Sequence, residues 1–115
     1  MTKQVLVIKA DGGVSTEQVE NSKEYDFLSK AVAGWIEAVD LDQELAGLTL
    51  WINEEGKLTG LPFNFLATKL WEMSYGKTDI IVGDAVITGG TDDNGETKSL
   101  TENQITRIKS VIGVS

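Results

Sequence analysis

The stretch NEEGKLTGLPFNFLATKLW, residues 53–71, decides the fold because it joins an apolar strand to an apolar helix. Just before it, Leu48, Leu50 and Ile52 recur with period two, which places them on one face of a β-strand. Gly56 is then expected to supply the positive φ that a tight turn requires. The stretch therefore predicts a strand, a turn and a helix in close succession.

The second half of this stretch contains the signals for the helix. Residues 57–60, KLTG, are predicted to return as a short strand, and Pro62 ends it because proline has no N–H to donate. Asn64 is a favourable N-cap for the helix that follows, and Gly76 is its expected C-terminal end. The predicted buried stripe of this helix consists of Phe65, Leu66, Leu70 and either Trp71 or Met73.

The chain before this stretch predicts a hairpin, a helix and a strand. Residues 4–10 are apolar and β-branched, the turn sequence DGG follows, and residues 14–21 form the returning strand. A helix is predicted to begin at Ser22 and to end at Gly34. Residues 35–45 alternate apolar and acidic side chains, which predicts a strand with one solvated face.

The chain after this stretch predicts further short strands and a last helix. Residues 79–90 read as two strand halves, and the Asn94-Gly95 pair predicts a hairpin with residues 97–100 as its returning arm. Thr101 and Gln104 form a capping box that opens the last helix. The 115 residues thus predict a single α+β domain of six or seven short, mostly antiparallel strands with three helices.

Composition excludes several kinds of chemistry. The chain has no cysteine and no histidine, so disulfides, thiolate catalysis, Cys/His zinc sites and imidazole catalysis are ruled out. A protein that is not an enzyme and needs no cofactor is therefore expected. The net charge of −8 argues against nucleic-acid binding, and no apolar run is long enough for a bilayer. We expect a cytoplasmic location in a bacterial cell.

Acidic residues leave one catalytic alternative open. Asp40, Asp42 and Glu44 would share one face of the predicted strand at residues 35–45, where aligned carboxylates can bind calcium or magnesium. A carboxylate- and metal-dependent enzyme using Asp40, Asp42 or Asp84 is therefore one hypothesis. The alternative is a solvated edge strand whose charges prevent edge-to-edge pairing.

Polar residues of the opening stretch are candidate ligand or partner contacts. Asn53 and Asn64 have structural explanations, as an Asx turn and a helix cap. They could instead line a polar pocket, with Pro62 fixing the backbone between them and the helix N-terminus offering an anion site. Asp84, in the VGDAV turn, is a further candidate polar contact.

Three tryptophans, Trp35, Trp51 and Trp71, lie among apolar residues, which predicts that they pack in the core. Trp51 is opposite in phase to Leu50 and Ile52, so it is the one expected to be half exposed. Because tryptophan is enriched at binding hot spots, Trp51 and Trp71 are candidate apolar anchors for a partner.

Four segments, in the order AGWIEAVDL, LWINEEGKLTGLPFN, ATKLW and DIIVGDAVITGG, resemble a family of small proteins of bacteriophages, plasmids and their host bacteria that is a domain of unknown function. The resemblance covers Val5 to about Gly90, and residues 91–115 lie outside it. Family members usually have two glycines before the aromatic residue, where this chain has Ala33 and Gly34. The resemblance implies an accessory protein of a mobile element.

Three hypotheses follow from the sequence. The first is a non-enzymatic accessory protein that binds a host protein, with antagonism of host defence as one version. Its candidate contacts are Asn53, Pro62, Asn64, Asp84, Trp51 and Trp71. The second is a small-molecule or nucleotide-binding protein that acts as a sponge, and the third is the metal-dependent enzyme. A homo-oligomer through an exposed sheet edge or helix also remains open.

Overall fold

A computed structural model describes residues 1–114 and confirms an α+β domain with one antiparallel sheet. The strands are β1 (Thr2–Ile8), β2 (Val14–Glu20), β3 (Ile36–Asp40), β4 (Leu48–Asn53) and β5 (Ala85–Gly89). The helices are α1 (Glu24–Val32), α2 (Phe65–Tyr75) and α3 (Glu102–Ile112). None of the helices in the described residues has the length and apolar character needed to cross a bilayer.

The sheet has the strand order β2-β1-β5-β4-β3, and every neighbouring pair is antiparallel. The last strand in the chain, β5, is the central one, since it lies between β1 and β4. All five β5 residues are buried, as expected for a strand with neighbours on both sides. The strands β2 and β3 are the two edges of the sheet.

Helices cover both faces of the sheet. Leu6, Leu50 and Ile87 are fully buried in the larger apolar cluster, which also contains residues of α2 and α3. Val5 and Leu28 belong to the second cluster, on the opposite face, where α1 packs. Because successive side chains of a strand point to opposite faces, one alternating sequence supplies both cores. Burying each leucine or isoleucine stabilises the fold by about 1.5–3 kcal/mol.

A buried ion pair joins the sheet to α1. The Nζ atom of Lys3, on β1, lies 3.0 Å from Oε2 of Glu24, the first residue of α1. The same ammonium group donates a 2.8 Å hydrogen bond to the carbonyl of Thr97. The Lys3 side chain is nearly inaccessible to water, so these two acceptors replace its hydration.

The predicted caps of the second and third helices are confirmed. Asn64 caps α2, and its side-chain oxygen accepts from the Ala67 N–H at 2.9 Å. Gly76 follows the last turn of α2 with a φ of 73°. Thr101 and Gln104 form the reciprocal capping box of α3.

The first helix differs from its prediction at both ends. A 3-10 turn occupies Asn21–Lys23, so α1 begins at Glu24 and not at Ser22. Ala33, with φ of 65°, is the left-handed residue after the helix, where Gly34 was expected to serve. Gly34 is needed for a different reason, because a Cβ at this position would lie 2.7 Å from Nδ2 of Asn53.

Several strand predictions were wrong, and the described residues form five strands where six or seven were expected. Residues 57–60 make turns, because Leu61 N–H bonds back to the Gly56 carbonyl at 2.9 Å. The positive φ in this turn is at Gly60, 71°, and not at Gly56 as predicted. Residues 79–84 contribute only an isolated bridge between Phe63 and Val82 before the chain enters β5. Residues 97–100 likewise contribute one bridge, from Thr97 to Thr91.

Candidate functional site

The side chain of Asn53 joins the end of α1 to the end of β4. Its Nδ2 donates to the carbonyls of Val32 at 3.1 Å and Ala33 at 3.2 Å. Its Oδ1 accepts from the Glu55 N–H at 2.8 Å, which completes the expected Asx turn. Both ends of the amide are therefore bound to backbone groups.

Asn64 is fully buried and joins three segments of the chain. Its Nδ2 donates to the Ile8 carbonyl at 3.0 Å and to the Gly83 carbonyl at 2.8 Å, while Oδ1 caps α2. Pro62 is exposed, and its carbonyl accepts from the Gly83 N–H at 2.7 Å. These bonds hold the start of α2 against the end of β1 and the approach to β5.

Asp84 lies in a different environment from Asn53 and Asn64. Its Oδ1 accepts from the Ala10 N–H at 2.8 Å, which fixes the end of β1 beside β5. The side chain faces a shallow groove along α1 that Phe27 and Lys30 also line. The three predicted polar residues therefore do not line one pocket: Asn53 lies apart from the other two, and Asp84 shares a small cleft with Pro62.

The tryptophans have distinct positions. Trp51 is half-buried, as its phase predicted, and its Nε1 donates to the Thr88 hydroxyl at 2.9 Å. Trp71 is also half-buried. It donates to the Thr78 hydroxyl at 3.0 Å and packs against Tyr75, with the two rings tilted by 48° and their centroids 4.7 Å apart. The prediction that Trp35 packs in the core was wrong, because 65% of it is exposed just before β3.

The predicted row of carboxylates does not form. Asp40 is the last residue of β3, Asp42 follows in an extended linker, and Glu44 lies in the 3-10 turn Gln43–Leu45. The chain leaves the sheet after Leu41, whose N–H still bonds to β4, and the Asp42 N–H bonds instead to the Ser74 hydroxyl at 2.9 Å. Within residues 1–114, no three acidic side chains lie close enough together to hold a metal ion.

A groove of about 220 Å³ lies beside β3, and we call it the β3 groove. Glu37 and Val39 of β3, Ile52 of β4 and Trp71 of α2 line it. Two further segments complete the wall: Asn53 at the end of β4 with Glu54, Lys57 and Leu58 of the turn after it, and residues 79–82 before β5. The groove therefore includes Asn53 and Trp71 of the predicted contacts, together with residues that no sequence motif indicated.

The charges of the β3 groove are mostly negative. Three carboxylates line it, those of Glu37, Glu54 and Asp79, against the single ammonium group of Lys57. Lys57 forms a short ion pair with Asp79. The hydrogen bond from Lys57, followed by that from the Ile80 N–H, lowers the pKa of Asp79 below its usual value. The ion pairs among residues 1–114 involve neither Glu37 nor Glu54, so both carboxylates are available to a partner.

Exposed apolar side chains border the β3 groove. Leu58 is 86% exposed and Ile80 is 46% exposed, and both line the groove; we call these two residues the apolar rim. Phe63, bridged to the groove residue Val82, is exposed and packs edge-to-face on Phe65 at 6.3 Å. Clustered exposed apolar side chains of this kind mark interaction surfaces in soluble proteins.

Sequence reasoning missed Leu58, Ile80 and Glu37 as site residues. A signal existed for Leu58, since an apolar residue between the turn glycines Gly56 and Gly60 has no strand or helix to bury it. Glu37 and Ile80 had no such signal, because only the sheet order and the path from α2 to β5 bring them together.

The protein is a small α+β domain in which one helix and a helix pair enclose a single antiparallel sheet. Its residues 1–113 match the family described as "Domain of unknown function (DUF3846)", and the chain belongs to that family. The match confirms the resemblance and extends beyond residue 90 to include α3. Comparisons with curated proteins and with solved structures gave no match.

Proposed function

We propose that this protein is a non-catalytic binding protein, carried by a phage or another mobile element, that binds a host protein through the β3 groove and its apolar rim. The observation that carries the proposal is the exposure of Leu58 and Ile80 beside a groove with two unpaired carboxylates. The mobile-element setting rests on the sequence resemblance alone. Antagonism of host defence is one version of this function.

The energetics favour the rim as the binding surface. Burying one leucine or isoleucine side chain contributes about 1.5–3 kcal/mol, and each 1.4 kcal/mol is tenfold in affinity. Since Leu58 is 86% exposed and Ile80 46% exposed, burying what remains of both contributes about thirtyfold or more in affinity. Glu37 and Glu54 add selectivity for a partner that presents positive charge, because complementary charges accelerate association and exclude acidic partners.

The small-molecule alternative has less support. Pockets that hold drug-sized ligands usually measure about 300–1,000 Å³, larger than the β3 groove. The shallow grooves beside Asp84, about 340 Å³, and beside Gly90, about 330 Å³, reach only the lower end of that range. A nucleotide would bring phosphates to a wall lined by Glu37 and Glu54, and like charges repel. The other anion site considered, the N-terminus of α2, already has its cap position filled by Asn64.

An affinity-capture experiment tests this proposal. The tagged protein and the double variant Leu58→Gln/Ile80→Gln are incubated with bacterial lysate, and the retained host proteins are compared. Tyr25→Gln is the matched control, because Tyr25 is a large exposed residue on α1 that does not line the β3 groove. We expect a host protein that the unmodified chain and Tyr25→Gln retain and the double variant loses. Equal retention by all three would contradict the proposed surface.

A further inference from the structure

The open edge of β3 presents unpaired backbone groups. Leu41 N–H bonds to the Leu48 carbonyl at 3.0 Å, and Glu54 N–H bonds to the Trp35 carbonyl at 2.8 Å. The backbone N–H and C=O groups of the odd-numbered β3 residues therefore point toward β4. In an antiparallel pair the residues between them point their N–H and C=O groups the other way. The backbone N–H and C=O groups of Ile36, Ala38 and Asp40 therefore point away from β4, toward the open edge of the sheet.

Little of the described chain covers this edge. The carbonyl of Asp40 accepts from the Tyr75 hydroxyl, and no backbone bond from elsewhere in residues 1–114 reaches Ile36 or Ala38. Ala38 is exposed, and Trp35 is exposed immediately before the strand. An uncovered edge with adjacent apolar side chains is the site at which another chain can add a strand.

The opposite edge is different in chemistry. The middle of β2 consists of the exposed polar residues Ser15, Thr16, Glu17 and Gln18. In β3, by contrast, Ile36, Ala38 and Val39 accompany the two acidic residues. The apolar character and the adjoining β3 groove both favour β3 over β2 as the edge that receives a partner.

Charge identifies the occupant as a basic segment and not a second copy of this chain. Glu37 and Asp40 lie on the edge strand, and Glu54 lies in the adjoining groove. A second copy would bring another chain of net charge −8, and pairing around Ala38 would place the two Glu37 side chains diagonally on one face. Lysine or arginine side chains on the incoming strand would instead find opposite charges.

We infer that β3 accepts an extended segment of a partner protein, with alternating basic and apolar side chains, as a sixth strand of the sheet. This inference rests on the proposed function and adds the chemistry of the partner and the mode of its recognition. Backbone hydrogen bonds to Ile36 and Ala38 supply affinity. Contacts between basic side chains and Glu37 supply selectivity.

Proline substitutions distinguish strand pairing at the β3 edge from electrostatic attraction alone. Ala38→Pro removes an N–H that points away from β4, so the sheet keeps its own ladder. Thr16→Pro is the matched control, since the Lys9–Gly13 and Asn21–Met1 bonds place the Thr16 N–H on the outer side of β2. Both are exposed, mid-strand positions at opposite edges.

The probe is a short synthetic peptide of alternating lysine and valine, with a second peptide methylated on alternate backbone nitrogens as its control. Titration calorimetry measures the dissociation constant, and amide hydrogen exchange reports Ile36 and Ala38. We expect binding with slowed exchange at both amides. Loss of a backbone hydrogen bond or two corresponds to about tenfold weaker binding for Ala38→Pro and for the methylated peptide. Thr16→Pro should bind within about twofold of the unmodified protein.

Several results would overturn the inference: equal binding of the methylated peptide, equal binding by Ala38→Pro, equal losses in both proline variants, or no binding up to about 1 mM peptide. If Ala38→Pro fails to fold, the methylated peptide and the exchange data on the unmodified protein decide the question. A host protein that Ala38→Pro still captures, and that Leu58→Gln/Ile80→Gln loses, would refute strand addition and leave the proposed function standing.

Discussion

Replacing Ala33 by glycine should stabilise the protein. Ala33 closes α1 in the left-handed conformation, with φ of 65° and ψ of 39°, and its N–H bonds to the Lys30 carbonyl at 3.2 Å. Related sequences are expected to have glycine here, on the resemblance described above. A left-handed backbone brings the Cβ of alanine close to the carbonyl oxygen, and glycine has no Cβ.

The expected magnitude is the difference between two opposing effects. The left-handed conformation costs a residue with a Cβ about 1–2 kcal/mol. Glycine offsets part of this gain, because the greater freedom of its unfolded chain costs about 0.5–1 kcal/mol. We therefore expect Ala33→Gly to raise the free energy of unfolding by about 0.5–1 kcal/mol, which raises Tm by roughly 2–4 °C for a chain of this length.

Gly34→Ala is the matched control, one residue further along the chain. Its Cβ would lie 2.7 Å from Nδ2 of Asn53, so the amide must move and weaken its bonds to α1. A loss of about 1–3 kcal/mol is expected. Urea unfolding followed by tryptophan fluorescence measures both variants. If Ala33→Gly lowers the stability, or Gly34→Ala leaves it unchanged, the described end of α1 is incorrect.

Three further substitutions test the interior and the groove. Asn64→Ala should lower the free energy of unfolding, measured in urea, by about 3 kcal/mol or more, since it removes a cap and leaves two buried carbonyls without donors. A loss under about 1 kcal/mol would contradict that network. Lys3→Met should lower the free energy of unfolding by about 3 kcal/mol, because it leaves the Glu24 carboxylate unpaired. Adding Glu24→Gln to this variant should recover part of the lost stability, and no recovery would rule out the ion pair as the cause. Asp79→Asn should lower the free energy of unfolding by less than about 1 kcal/mol at pH 7. The pKa of Asp79 is lowered by Lys57, so the stability that Asp79 contributes is present above its unfolded pKa of about 3.9 and is lost as the pH falls through its folded pKa. A stability difference between Asp79→Asn and the unmodified protein that persists at about pH 2 would argue against this cause.

Local signals in the sequence predicted the caps but not the sheet. Asn64 and Thr101 cap their helices by bonding residues three positions away, so the local sequence is enough to predict both caps. The central place of β5 depends on pairing with β1 and β4, far away in sequence. Gly34 packs against Asn53 from β4, a contact that no local pattern contains, and the left-handed residue after α1 is Ala33.

The polar residues that stood out in the sequence turned out to have structural partners. Asn53 and Asn64 are unusual because each satisfies three backbone groups, and amides bonded in this way hold segments together. The predicted strand at residues 57–60 did not form, and the turn there exposes Leu58 instead. A residue that is exposed for lack of a strand is hard to find by periodicity, which detects only the side chains that a regular element buries.

The dissociation constant of the captured host protein tests the proposed function most directly. It is measured by titration calorimetry for the unmodified chain, for Leu58→Gln/Ile80→Gln and for Tyr25→Gln, after each variant is shown to fold. Binding through the apolar rim predicts at least about a thirtyfold weakening for the double variant and less than about twofold for Tyr25→Gln. A dissociation constant for the double variant that stays within about twofold of the unmodified value would contradict the proposed binding surface.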